Sequence, residues 1–152
     1  MKVILTTVLE ANVKIRDKMV GSISRGFLLL VGFTFGDNSE IVNKMVDKIL
    51  SLRVFPDEHG QINVSLQDVN GSILSVSQFT LYADAKKGRR PSFIDALTPS
   101  EAEKLYDEFN ELLTLKHGKV STGVFGADMK IALENNGPFT TIVDSKELGL
   151  WK

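Results

Sequence analysis

The run Phe27-Leu28-Leu29-Leu30-Val31-Gly32-Phe33-Thr34-Phe35 decides the architecture. Its apolar residues do not alternate with polar ones, so Phe27 to Phe35 reads as a central strand covered on both faces. The longest apolar run, Phe27 to Val31, falls far short of the roughly 18 residues of a membrane span. Upstream, Val3-Ile4-Leu5 and Val13-Lys14-Ile15 read as strands. Downstream, Ile41, Val42, Met45, Val46, Ile49 and Leu50 recur with helical spacing behind three cap candidates, Asp37, Asn38 and Ser39. Thr98-Pro99-Ser100-Glu101 is a capping box with proline at the first helical position. Behind it Ala102, Leu105, Tyr106, Phe109, Leu112 and Leu113 form the buried stripe of a second helix. Ile73 to Thr80 reads as a strand, and Lys119 to Val124, Met129 to Leu133 and Phe139 to Val143 give three more. Two helices among many strands predict an α/β fold, a mixed sheet curled into a barrel-like domain. Two helical segments are too few for a doubly wound topology. No repeat, low-complexity tract or linker interrupts the chain, so residues 1–152 are expected to form a single domain.

With 152 residues, 43% hydrophobic and 24% charged, the chain can bury a substantial core. It contains no cysteine, which excludes disulfides, thiolate nucleophiles and cysteine-ligated zinc and fits a reducing compartment. Met1-Lys2-Val3 leads straight into a strand pattern, so no signal peptide is expected and the cytoplasm is the expected location. Of the two histidines, His59 lies in the turn sequence Asp57-Glu58-His59-Gly60 and His117 precedes Gly118 at a helix end. Neither neighbours a nucleophile, so a Ser-His-Asp triad or a histidine metal site is not expected. Chemistry must come from hydroxyls, amides, backbone groups or the substrate itself. No metal and no cofactor are expected. The net charge of −1 rules out bulk polyanion binding. Lys86, Lys87, Arg89 and Arg90 nevertheless crowd around Gly88, and two readings of them stand: a solvated loop, or a loop that contacts phosphates.

Two segments carry more information. Ser77-Gln78-Phe79-Thr80-Leu81 ends a strand and places an amide, two hydroxyls and several N–H groups at a rim. Asn135-Asn136-Gly137-Pro138-Phe139-Thr140 sets a Gly-Pro pair between two strand-like runs. Glycine removes the Cβ that would keep another molecule away, and proline fixes its own φ, so the pair can present bare carbonyl oxygens in a fixed direction. The plain alternative is a turn between strands.

Taken together with Lys87-Gly88-Arg89-Arg90-Pro91-Ser92-Phe93 and Gly123-Val124-Phe125-Gly126-Ala127-Asp128-Met129, these segments closely resemble the D-aminoacyl-tRNA deacylases over nearly the whole chain. The resemblance implies a homodimer that hydrolyses the ester between a D-amino acid and the 3′-terminal adenosine of tRNA, a chiral proofreading step in translation. It also implies cleavage of glycyl-tRNA(Ala), since glycine has no side chain to be rejected. By position, Ser77, Gln78, Phe79 and Thr80 would line the catalytic pocket, with backbone N–H groups near Phe79 and Thr80 facing the developing oxyanion. Gly137-Pro138, cis in this family, would reach with Asn135 into the partner's pocket and exclude L-amino acids. Phe125 and Met129 would pack around the terminal adenine, and Lys86, Lys87, Arg89 and Arg90 would meet the tRNA backbone. The expected partners are tRNA charged with D-amino acids or glycine and a second copy of the chain, with no membrane and no DNA. Where family members usually carry Gln-Arg on the first strand, this chain has Thr6-Thr7. It therefore lacks the arginine thought to hold the Gly-Pro element. The competing readings are an editing domain of the threonyl-tRNA synthetase type and a non-enzymatic RNA-binding dimer.

Overall fold

Strand β1 (Lys2–Ile15) organises the sheet, because both of its edges are used along almost its whole length. The computed structural model describes residues 1–151. On one edge, β1 pairs antiparallel with β3 (Gly26–Gly32) through Lys2–Val8 and with β2 (Lys18–Ile23) through Ala11–Ile15. The other edge takes β8 (Lys130–Asp144), also antiparallel. Strand β3 runs parallel to β6 (Ser72–Ser77), and β6 parallel to β7 (Val120–Thr122). Parallel neighbours need a long crossover, and each crossover contains a helix. These are α1 (Ser39–Ser51) between β3 and β6, and α2 (Pro99–Lys116) between β6 and β7. A separate hairpin, β4 (Arg53–Pro56) and β5 (Ile62–Ser65), lies within the first crossover.

Strand β7 returns to β2. The Ser121 hydroxyl lies 3.4 Å from the Ser22 carbonyl, and a Cβ built on Gly21 would sit 3.1 Å from the Thr122 carbonyl oxygen. The sheet is thus nearly closed into a barrel, with β8 paired along the other edge of β1.

Two apolar clusters explain why β3 carries no polar alternation. Phe27, Leu29 and Val31 join Val3 and Leu5 against the helices, meeting Val42, Met45, Ile49, Phe109 and Leu113. Leu28 points the other way, into the barrel with Val8, Val13, Leu74 and Val76. Successive residues of a strand face opposite sides, so a strand between two cores must be apolar throughout.

Local chemistry sets the helix starts. Among the three cap candidates, Asn38 has extended backbone and its Oδ1 accepts from Ile41 N at 3.1 Å. Asp37 is committed elsewhere: Thr34 N donates to its Oδ2 at 2.8 Å, and the buried α-ammonium of Met1 bonds its Oδ1. At α2, Thr98 bonds the carboxylate of Glu101 through its side chain, so the capping box closes on itself and not on the backbone.

Several boundaries differ from the expectations. Val3-Ile4-Leu5 and Val13-Lys14-Ile15 belong to one strand, and so do Met129–Leu133 (from Lys130) and Phe139–Val143. The segment Asn135–Thr140 is therefore no turn between strands but an interruption within one. Strand β3 stops at Gly32; Thr34 instead bridges Ala96, and Phe35 is 54% exposed. Strand β6 ends at Ser77, before a single 3-10 turn over Phe79–Tyr82, and β7 is shorter than the run Lys119 to Val124. Among the described residues no helix is long and apolar enough to cross a membrane.

Candidate active site

The chain leaves β6 at Ser77, and Gln78 N still donates to Val31 O at 2.7 Å, which holds the exit against β3. It then tightens into the 3-10 turn, whose internal bonds run from Leu81 N to Gln78 O (3.2 Å) and from Ala83 N to Thr80 O (3.0 Å). The leading N–H groups of such a turn, here those of Phe79 and Thr80, have no partner within it.

Beside this turn lies a cavity of about 560 Å³. Ser77, Gln78, Phe79, Phe125 and Met129 line it, together with Val31 and Val76. Five of the candidate residues are thereby brought together. Thr80 is not among the lining residues. Its hydroxyl points to the Gln78 side chain, whose Nε2 donates to it at 2.5 Å, and no imidazole or carboxylate is bonded to it among the described residues.

Phe125 packs on the ring of Tyr106, centroids 6.0 Å apart, and the buried Tyr106 hydroxyl donates to Ser75 O at 2.8 Å. Burial is the main cause that raises the Tyr106 phenol above its ordinary value, so it stays protonated as a structural donor. Gly123 makes room for Met129: an added Cβ would lie 2.5 Å from the Met129 sulfur.

The basic loop is fastened to the rim. Asp84 and Ser92 exchange backbone bonds of 2.8 and 2.9 Å, closing the excursion that carries Lys86, Lys87, Arg89 and Arg90, all exposed. Directly after it, Phe93 meets Phe79 edge-on at 5.2 Å and also lines the cavity. In the sequence Phe93 stands out only as the last residue of a motif; its period-free position in a loop gives no separate signal. Leu97 also lines the cavity without any sign of it in the sequence, and so does Asp128, which stands in the quoted motif before Met129 but was given no role. The four cations do not line the cavity.

The Gly-Pro segment is a protrusion on β8. Thr6 pairs with Thr140 and Val8 with Asn135, so Thr7 alone stands opposite the four residues Asn136–Phe139. The peptide between Gly137 and Pro138 is cis, and Gly137 has φ +132°, a region that glycine alone adopts readily. Gly137 and Pro138 are exposed, and neither they nor Asn135 line the cavity of their own chain. Without the arginine, the base of the protrusion is tied by other groups. The Thr7 hydroxyl donates to Asn136 O at 2.8 Å, and Asn135 Oδ1 accepts from Phe139 N at 3.1 Å. Thr140 Oγ1 lies 3.1 Å from Thr6 Oγ1 and 3.3 Å from Asn135 Nδ2.

Neither histidine is near the cavity lining. His59 is exposed beside Glu58, and His117 Nε2 contacts Gly71 O at 2.8 Å at the end of α2. Among the described residues no group of three or more His, Asp or Glu side chains could hold a metal ion. The site offers amides, hydroxyls, N–H groups and aromatic faces, which suits positioning and oxyanion stabilisation of an already reactive acyl group.

Residues 4–144 match the family model described as D-Tyr-tRNA(Tyr) deacylase, and the chain belongs to that family. Among curated relatives it is 52% identical to a D-aminoacyl-tRNA deacylase of Lactobacillus gasseri, over 95% of this chain and 99% of the relative. One from Anoxybacillus flavithermus is 51% identical, over 96% of this chain and all of the relative. Of solved structures, a c-Myc DNA unwinding element binding protein is similar with TM-score 0.89 at 36% identity, covering 95% of this chain and 98% of that one. A probable eukaryotic D-amino acid tRNA deacylase shares the fold with TM-score 0.82 at 21% identity, covering 93% and 97%.

Proposed function

We propose that this chain hydrolyses the ester linking a D-amino acid to the 3′-terminal adenosine of tRNA, in the cavity beside Ser77–Thr80, and acts as a homodimer. The observation that carries this reading is the separation of two halves of one site. Each chain has a cavity with N–H groups at its rim that the turn leaves unpaired and, elsewhere on its surface, an exposed Gly137-Pro138 protrusion that does not line this cavity. A second copy is the simplest way to bring them together. The outer edge of β8 is unpaired among the described residues, and Leu133 and Ile142 on it are 43% and 58% exposed, which favours pairing there.

Within the joined site, carbonyls of Gly137 and Pro138 from the partner would hold the substrate amino group. An L side chain would then meet the protrusion, whereas a D side chain would point to solvent. Glycine has no Cβ to clash, so glycyl-tRNA(Ala) is a substrate too. Phe125 and Met129 would flank the terminal adenine through aromatic and sulfur contacts. The basic loop meets the phosphates of the acceptor end. Four cations on one loop of a chain with net charge −1 suit a single-stranded terminus better than a DNA duplex. The cytoplasm, where charged tRNA is available, is the location this reading requires.

Water attacks the ester carbonyl carbon, the oxyanion is met by the Phe79 and Thr80 N–H groups, and the ribose 3′-oxygen leaves, with the adjacent 2′-hydroxyl assisting proton transfer. One oxyanion donor is worth about 2.7–4 kcal/mol, so such a site needs no histidine. Thr80, bonded to Gln78 and lacking a base, fixes the turn. Thr80→Ala should therefore lower kcat by no more than about tenfold; a loss of several orders of magnitude with binding intact would make Thr80 the nucleophile.

The decisive assay incubates the protein with D-tyrosyl-, L-tyrosyl- and glycyl-tRNA. Loss of the D and glycyl esters with the L ester spared supports the reading. Loss of the L ester points to an editing domain, and no loss to an RNA-binding dimer.

A further inference from the structure

The protrusion on β8 is long for its footing. Four residues, Asn136–Phe139, stand against the single residue Thr7, so the regular ladder is interrupted across them. What fixes their direction is a small set of side-chain bonds at the base. Thr7 is 2% exposed, and its hydroxyl donates to the carbonyl of Asn136, the peptide that leads into Gly137. From the other end, Asn135 closes a loop over the Gly-Pro pair by accepting from Phe139 N. The carbonyl of Gly137 is therefore aimed by groups one and two residues away, on two different strands.

We infer that Thr7 is the positioning residue that sets the stereochemical stringency of this enzyme, with the Asn135 side chain as the second strut. This inference rests on the proposed deacylase reading. A rigid base matters because discrimination between D and L esters depends on where the Gly137 and Pro138 carbonyls lie, not on how many groups they touch. Thr7 is well suited to this role. Its β-branched side chain has few rotamers on a strand, and its burial keeps water from competing for the Asn136 carbonyl. A hydroxyl on a short stem also permits less play than a long side chain reaching the same oxygen.

The test compares Thr7→Val, which keeps the shape and removes the hydroxyl, with Thr7→Ser, which keeps the hydroxyl. Rates are measured on D-tyrosyl- and L-tyrosyl-tRNA, together with hydrogen exchange at the Phe139 amide. Thr7→Val should lower the D:L ratio of kcat/KM by about tenfold, the equivalent of one net hydrogen bond of about 1.4 kcal/mol, and Thr7→Ser should restore most of it. Exchange at Phe139 should quicken in Thr7→Val and further in Asn135→Ala, while amides of the α1 and α2 cores keep native protection. An unchanged ratio in a folded, active Thr7→Val protein overturns the inference and leaves the deacylase reading intact. A lower ratio that Thr7→Ser does not restore assigns the effect to packing and also overturns it. A wild-type protein inactive on the D ester sinks both.

Discussion

Replacing Gly32 with alanine should damage the candidate site without unfolding the protein. Gly32 ends β3 under the Gln78 turn, and its φ lies outside the left-handed region, so alanine carries no backbone penalty there. The cost is steric. An added Cβ would lie 2.9 Å from Gln78 O and 3.1 Å from Leu81 Cβ. Ordinary contact begins near 3.4 Å, so the turn must retreat by about 0.5 Å. Its neighbours are backbone and a Cβ, not the tip of a flexible side chain, and cannot give way by rotation. Overpacking of this kind costs about 1–3 kcal/mol, which in a chain of this size lowers Tm by roughly 2–12 °C. Activity should fall further, because misplacing reacting groups by about 1 Å can cost roughly 100-fold; half that shift suggests about tenfold in kcat. Single-turnover kinetics on D-tyrosyl-tRNA beside a thermal melt would separate the two effects. A Gly32→Ala protein with wild-type kcat would refute the assignment of the oxyanion donors to this turn.

Ser75 Oγ is fully buried with no bond partner, so Ser75→Ala should leave stability within about 0.5 kcal/mol or raise it, whereas Tyr106→Phe, which takes from the Ser75 carbonyl one of its two donors and leaves it Gly123 N at 3.0 Å, should cost about 0.5–1.5 kcal/mol in urea unfolding. Alanine at Lys86, Lys87, Arg89 and Arg90 together should raise KM for charged tRNA and flatten its salt dependence by about 0.7 in log–log slope for each phosphate no longer neutralised, with kcat little changed. Asp68 is held below its ordinary value of 3.8 by bonds from the Ser65 hydroxyl and backbone N–H. Its depressed value means stability that is present above 3.8 and lost as pH falls through the folded value. Tm measured from pH 5 to pH 2 should therefore fall less steeply in Asp68→Asn than in the parent.

Much of the framework was legible because it rests on periodicity. The stripes of α1 and α2 and the unbroken apolar run of β3 each record a two-sided or one-sided burial that the fold then supplies. Three strands were not. In β2, Lys18–Ile23 places one buried residue among five exposed or half-exposed ones, so no face is marked. The hairpin of β4 and β5 has four residues in each arm, too few to establish a period. The joins within β1 and β8 were hidden for another reason: polar residues in mid-strand, such as Thr6 and Thr7, read as a break although both are buried and bonded across strands. Ser77, Gln78, Phe79, Phe125 and Met129, which line the candidate cavity, all stand in the quoted motifs. Phe93 and Leu97 come to the cavity by tertiary packing of a loop, which no local pattern encodes. The part inferred for Thr7 was not legible, because its bond to the Asn136 carbonyl is made across strands to a residue far along the chain.

The break in β8 has a consequence for solubility. A fifteen-residue strand with a free outer edge would ordinarily invite one molecule after another to add on, as in a fibril. Here the run is cut near its middle by a bump, and by a proline that has no N–H to offer a newcomer. Endless stacking is frustrated, while a docking mate with a hollow of the right shape is still welcome. The protrusion thereby guards this edge against open-ended growth and is compatible with the closed pair proposed above.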